Sequence, residues 1–83
     1  MTDQELLDLM TRTLRDLLAD DSIELHMQTT RPEVDGWDSF SYINFIAALE
    51  MNLKIKFNIA DVESFENVGA IVRRIQQLQS AKR

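Results

Sequence analysis

The chain has no cysteine, one histidine, one proline and two glycines among 83 residues. Each scarcity excludes something. Without cysteine there is no disulfide framework, no CxxC redox pair, no thiolate zinc site and no cysteine nucleophile. A single histidine, His26, cannot build an all-histidine metal site within one chain. So little glycine and proline leaves few turns, which speaks against an all-β fold. Basic charge is also short, with 9 Lys and Arg against 14 Asp and Glu and a net charge of −5. Nucleic-acid affinity comes mainly from neutralising phosphates, so this balance disfavours a nucleic-acid partner. No apolar run approaches the ~20 residues of a membrane span. The acidic start, Met1-Thr2-Asp3-Gln4-Glu5, lacks the basic region of a signal peptide. The expectation is a soluble, cytoplasmic protein with no membrane partner.

Hydrophobic residues make up 45% of the chain, too many for a disordered segment. The length fits one small domain over residues 1–83. Thr2 followed by Glu5 is a capping-box pattern. Leu6, Leu7, Met10, Leu14, Leu17 and Leu18 then recur at helical spacing, while Arg12, Arg15 and Asp16 lie elsewhere on the wheel. The pattern predicts an amphipathic helix of about 17 residues ending near Ala19. Residues 20–38 show no period and hold Pro32 and Gly36. They read as a long loop with a turn near Ile23–Met27, and loops this long are usually functional or wrapped over a core.

Asp38 is a good N-cap for a second helix, with Ser39 at its first position. Tyr42, Phe45, Ile46, Leu49 and Leu53 form one stripe on that helix. Phe40, Ile43, Ala47 and Met51, mixed with Asn44 and Glu50, form another on the opposite side. A peripheral helix of a small domain buries one side, so the second stripe is expected at the surface as a partner contact. Residues 53–59 alternate, with Leu53, Ile55, Phe57 and Ile59 on one side. A lone strand is not stable, so this reads as an extended connector pinned by its apolar side. Asn58 can cap a short helix around Ala60–Glu63. The last helix carries Phe65, Val68, Ile71, Val72, Ile75 and Leu78 on one face and Arg73, Arg74, Gln76 and Gln77 on the other. Lys82 and Arg83 suit the negative end of its dipole. The sum is an all-α bundle of three long helices and one short one, with a long loop between the first two.

Catalytic patterns are nearly absent: there is no HExxH, GxSxG, P-loop or EF-hand. Asp35 and Asp38 are ordinary surface acids, His26 a loop residue and Tyr42 a packing residue. The informative stretch is Gly36-Trp37-Asp38-Ser39-Phe40. A serine at a helix start after a flexible loop exposes its hydroxyl, and the positive helix end favours a phosphate there. Nothing nearby would activate Ser39 as a nucleophile of its own. It reads as a serine to be modified by another protein, with a plain Asp-Ser cap as the alternative.

This stretch resembles the prosthetic-group site of acyl carrier proteins, the phosphopantetheine-binding family. The resemblance runs along nearly the whole chain. It takes in the long loop ending Gly36-Trp37, Asp38-Ser39-Phe40, the Ile43-to-Glu50 segment, Phe57-Asn58-Ile59 and the Val68-to-Val72 segment. It implies a four-helix bundle that is not an enzyme. It implies that Ser39 is the attachment serine for 4′-phosphopantetheine delivered from coenzyme A. Asp38 would be the acid that helps position metal and transferase during loading, with no metal resident in the carrier. The implied partners are a phosphopantetheinyl transferase and the acyl-activating, condensing or modifying enzymes of a pathway, served by a monomeric carrier. The arm would supply the thiol that the composition lacks and hold acyl or aminoacyl cargo as a thioester.

The implied partner face is Trp37, Phe40, Ile43, Asn44, Ala47, Glu50 and Met51. For Trp37 the competing reading is that it closes the loop onto the core. Carriers of bacterial fatty-acid synthesis resemble one another in an acidic second helix. Here Ser41, Asn44, Met51 and Asn52 stand at the corresponding exposed positions, with Glu50 the sole acid. The acids fall instead in the loop (Asp20, Asp21, Glu33, Asp35) and around the third helix (Asp61, Glu63, Glu66). Partners that dock through Arg and Lys on an acidic second helix should therefore bind this chain weakly. The Trp37-to-Phe40 and Ile43-to-Glu50 stretches resemble stand-alone carriers of specialised pathways of polyketide, nonribosomal-peptide and related hydroxyacyl or aminoacyl type. Housekeeping fatty-acid synthesis and a helical adaptor that binds a partner helix are the alternatives.

Overall fold

Thr2 and Glu5 cap each other at the start of the first helix: Glu5 N donates to Thr2 Oγ1 at 3.1 Å and Thr2 N to Glu5 Oε1 at 2.8 Å. In the computed structural model of the chain, which describes residues 1–81, this helix (α1) spans Asp3–Leu18. It stops at Ala19, whose left-handed φ of 52° turns the chain away while its N–H still reaches Arg15 O. A single 3-10 turn follows at Arg31–Glu33. Then come α2 (Ser39–Leu53), α3 (Ile59–Ser64) and α4 (Val68–Ala81). Lys82 and Arg83 lie outside the described residues, as does their expected pairing with the helix dipole. No helix among the described residues is long and apolar enough to cross a membrane.

The core joins one face of each long helix. Leu6, Met10 and Leu14 of α1 meet Phe45 and Leu49 of α2 and Val72 and Ile75 of α4. All are fully buried. Both α2 and α4 pack against α1. The expected α1 stripe narrows at its end, where Leu17 is exposed and Leu18 half-buried.

The long loop differs from expectation. Its turns lie at residues 21–22 and 27–28, and residues 23–26 between them are neither turn nor helix. Ile23 and Leu25 point into the core while Glu24 and His26 point out, so this stretch is pinned by alternation. The 3-10 turn at Arg31–Glu33 falls within the expected loop, although Thr30 and Glu33 stand at capping-box spacing around Pro32. Loop carbonyls then cap α4. Val68 N donates to Thr29 O at 2.9 Å and Gly69 N to Met27 O at 2.7 Å, while Ala70 N takes Asn67 Oδ1 at 2.9 Å. This close approach is why residue 69 is glycine, since a Cβ there would lie 2.8 Å from Met27 O.

The connector after α2 behaves as its alternation predicts, with Ile55 and Phe57 buried. Ile59 is the exception. It opens α3, where the period of two ends, and it projects into solvent. Asn58 caps α3 and shares a capping box with Asp61. Phe65 terminates α3 rather than joining α4, and its ring meets Phe57 edge-on at 5.4 Å. The polar side of α4 is tied to its neighbours rather than simply solvated. Arg74 pairs with Asp61 of α3 at 2.9 Å, and Gln76 Nε2 donates to Asp3 Oδ1 of α1 at 2.6 Å.

Candidate functional site

The start of α2 is held by three residues in succession. Gly36 takes a φ of 84°, a left-handed value that side chains disfavour, and so bends the loop toward the helix. Trp37 follows, buried, with its ring edge-on to Phe45 at 5.2 Å and tilted against Tyr42 at 6.2 Å. Asp38 is the N-cap, and its carboxylate accepts from Ser41 N at 2.9 Å. Ser39 is then the first helical residue, exposed beside the capped end. An N-cap carboxylate satisfies one of the donors that a helix start leaves free.

Ser41 is a correction. The sequence placed it among the exposed positions of α2, yet it is buried. Its hydroxyl lies 2.7 Å from Gly36 O and 3.1 Å from Asp38 Oδ1, with its single proton shared between the two acceptors. A small hydroxyl one turn below the cap reaches back to close the loop, which an outward rotamer could not do. These contacts also act on Asp38. The Ser41 N–H first, and the Ser41 hydroxyl second, hold its carboxyl below the usual aspartate range. Asp38 is therefore anionic at neutral pH.

Beside Ser39 lies an open cleft of about 480 Å³ between the loop, α2, α3 and the start of α4. Tyr42 forms part of its wall. The Tyr42 hydroxyl donates to Val62 O at 2.7 Å, and the Arg31 guanidinium sits 4.6 Å above the ring. Burial pushes the phenol pKa up, and the positive charge of Arg31 opposes that shift. A second groove of about 320 Å³ runs between α2 and α3, lined by Ile43, Ile46, Ala47, Phe57, Ile59 and Val62.

The outer side of α2 carries Phe40 (79% exposed), Ile43 (57%) and Met51 (80%), with Asn44 and Ala47 also exposed. Ile59 of α3 adds a further apolar side chain at 78% exposure, and the connector's alternation concealed it. Two of the residues expected on this face sit differently. Trp37 is in the core, so of its two readings the loop-closing one describes its place. Glu50 is half-buried, and its carboxylate accepts from Phe57 N at 2.9 Å, which ties the connector to the helix. His26 is an exposed loop residue whose backbone N–H donates to Thr29 Oγ1 at 2.8 Å.

The described residues form a bundle of three long helices and one short one, whose second helix opens on an exposed, Asp-capped serine. The solution NMR structure of holo acyl carrier protein from Geobacter metallireducens is similar to it, with a TM-score of 0.84 and 36% sequence identity over 92% of this chain and 87% of that one. No family model and no curated protein matches the chain. The chain belongs to the acyl carrier protein family, and its general role is that of a carrier.

Proposed function

We propose that Ser39 is the attachment point of a 4′-phosphopantetheine arm, on which this chain holds acyl or aminoacyl intermediates for the enzymes of one pathway. The observation that carries this reading is the exposure of Ser39 at the first position of α2, bounded by a fixed cap and a cleft. The group fits these residues. The hydroxyl stands free of the core, and the helix end beneath it favours a phosphate. When bound, the arm supplies a thiol, which the chain otherwise lacks. The chain's own residues present and orient. Asp38 and Ser41 fix the backbone on which Ser39 is offered, and Trp37 anchors that backbone to the core. Loading would require a separate transferase with Mg²⁺: the Ser39 oxygen attacks the pantetheine-side phosphorus of coenzyme A, the diphosphate P–O bond breaks, 3′,5′-adenosine bisphosphate leaves, and the hydroxyl proton passes to the transferase or to water. A tethered cargo then meets each partner at high effective concentration.

The test is intact mass after incubation with a broad-specificity transferase and coenzyme A. The expected result is a gain of one phosphopantetheine group in the native chain and none in Ser39→Ala. No gain, or a gain that survives the substitution, overturns the reading.

The outer side of α2 further favours a specialised pathway of polyketide or nonribosomal-peptide type. Its first turn has no acid and its last turn no base, and its sole acid, Glu50, is engaged with the connector. A face of Phe40, Ile43, Ala47 and Met51 offers apolar contact and little charge for a basic partner to read. Partner enzymes should therefore accept this carrier with rates that change little with salt. A steep fall with salt would point instead to the charge-guided docking of housekeeping fatty-acid synthesis.

A further inference from the structure

Arg31 is placed with more care than a loop cation needs. The 3-10 turn that carries it is closed by Glu33 N donating to Thr30 O at 3.1 Å, and Glu33 Oε2 accepts from Thr30 N at 3.3 Å. Pro32 removes backbone freedom at the next position. The guanidinium lies 4.6 Å above the Tyr42 ring. That ring is fixed too, by its hydroxyl on Val62 O at 2.7 Å and by Trp37 alongside at 6.2 Å. The ion pairs among the described residues are made by Arg73 and Arg74, and Arg31 meets no carboxylate there within 4.0 Å. Its planar donor fork is thus held in place and unspent.

Its position relative to Ser39 gives that fork a use. Ser39 and Tyr42 are three residues apart on α2, so they lie on one face. Long side chains on a helix lean toward its N-terminus, which brings the Tyr42 ring back toward Ser39. Arg31, Ser39 and Tyr42 all line the same cleft, and Arg31 is the one basic side chain among the described residues lining it. The surrounding charge is negative: Glu63 and Glu66 line the far wall, and Asp38 is ionised at the helix cap. An anion added at Ser39 would be drawn to the helix end, repelled by these carboxylates and attracted by the fixed Arg31 cation.

We propose that Arg31, stacked on Tyr42, is a positioning residue for the phosphodiester that modification of Ser39 creates. A guanidinium fork matches two phosphate oxygens, and a fork already held on an aromatic face loses little freedom when it pairs. The pair directs the root of the arm toward the cleft and offsets the repulsion from Asp38. This inference rests on the reading of Ser39 given above.

The experiment compares apo and loaded full-length chain at low salt, with loading verified by intact mass. It uses wild type, Arg31→Gln and Arg31→Lys. The Arg31 Nε–H resonance should move on loading, and the movement should shrink as sodium chloride is added. The phosphorus resonance of the diester should differ between wild type and Arg31→Gln, with Arg31→Lys in between. A loaded chain whose Arg31 resonance does not move, and whose phosphorus resonance is the same in all three proteins, overturns the inference while leaving the carrier reading intact. So does an Arg31 resonance that responds to Glu63→Gln or Glu66→Gln but not to loading, because the fork is then spent on the far wall. A wild-type chain that cannot be loaded overturns both readings.

Discussion

The carboxylate of Asp38 accepts two hydrogen bonds from a single residue, Ser41: one from its N–H at 2.9 Å and one from its hydroxyl at 3.1 Å. The hydroxyl shares its single proton with Gly36 O at 2.7 Å, so loop, cap and helix meet at one oxygen. The stage on which Ser39 stands is built by its two close neighbours, not by Ser39 itself.

These bonds make the cap sensitive to acid. Ser41 lowers the folded-state pKa of Asp38, so the ionised carboxylate stabilises the folded chain above the unfolded aspartate value. That contribution begins to fall as pH drops past about 4 and is gone below the folded value. Thermal midpoints measured from neutral to acidic pH should show less acid sensitivity in Asp38→Asn, which keeps a capping oxygen but has no charge to lose. Identical pH profiles would mean the cap carries no linked proton.

Tyr42 gives the opposite sign at high pH. Its phenol pKa is raised by burial, so it stabilises the folded chain below the unfolded value of about 10, and that contribution is lost as pH rises through the folded value. Tyr42→Phe should remove this alkaline component. At neutral pH the same change leaves Val62 O without its donor and should cost roughly 0.5–1.5 kcal/mol in urea denaturation.

The two sides of α2 should separate cleanly in a denaturation series. Leu49 is fully buried and Ile43 is 57% exposed. Leu49→Ala should cost about 2–5 kcal/mol, through lost burial and the cavity left behind. Ile43→Ala should cost less than about 1 kcal/mol, as expected of a surface change. Equal costs would contradict the placement of the two stripes.

Gly69→Ala should destabilise the chain even though alanine favours helix by about 1 kcal/mol over glycine. The added Cβ would sit 2.8 Å from Met27 O, which is backbone and cannot swing aside. The loop must shift, weakening the bonds from Val68 and Gly69 to the loop carbonyls. A loss of about 1–3 kcal/mol is expected. Faster amide exchange at Val68 and Gly69 than in wild type would locate the damage.

Much of this molecule is written locally. Capping pairs such as Thr2 with Glu5, and apolar spacings such as Phe45, Ile46 and Leu49, act within about four residues of chain, the reach of a helical hydrogen bond. They mark α1, α2 and α4 and put Ser39 at a helix start. The exposed stripe of Phe40, Ile43 and Met51 follows from the same wheel, because one side of the helix is spoken for by the core.

What lies off the helices is decided elsewhere. Ile23 and Leu25 join the core cluster, and their alternation runs over only the five residues 23–27, too short to stand out from the loop around it. Ser41 turns inward because the loop brings the Gly36 carbonyl to it. Ile59 turns outward because the connector ends one residue earlier. Arg31 has no local partner that singles it out, and its place over Tyr42 exists only once the loop has crossed the helix. The three long helices and the place of Ser39 at a helix start are legible from residue order, since short-range hydrogen bonds and periodic burial suffice for both. The cleft and the placing of Arg31 over Tyr42 come from the tertiary fold, since they depend on residues far apart in the chain meeting at one surface.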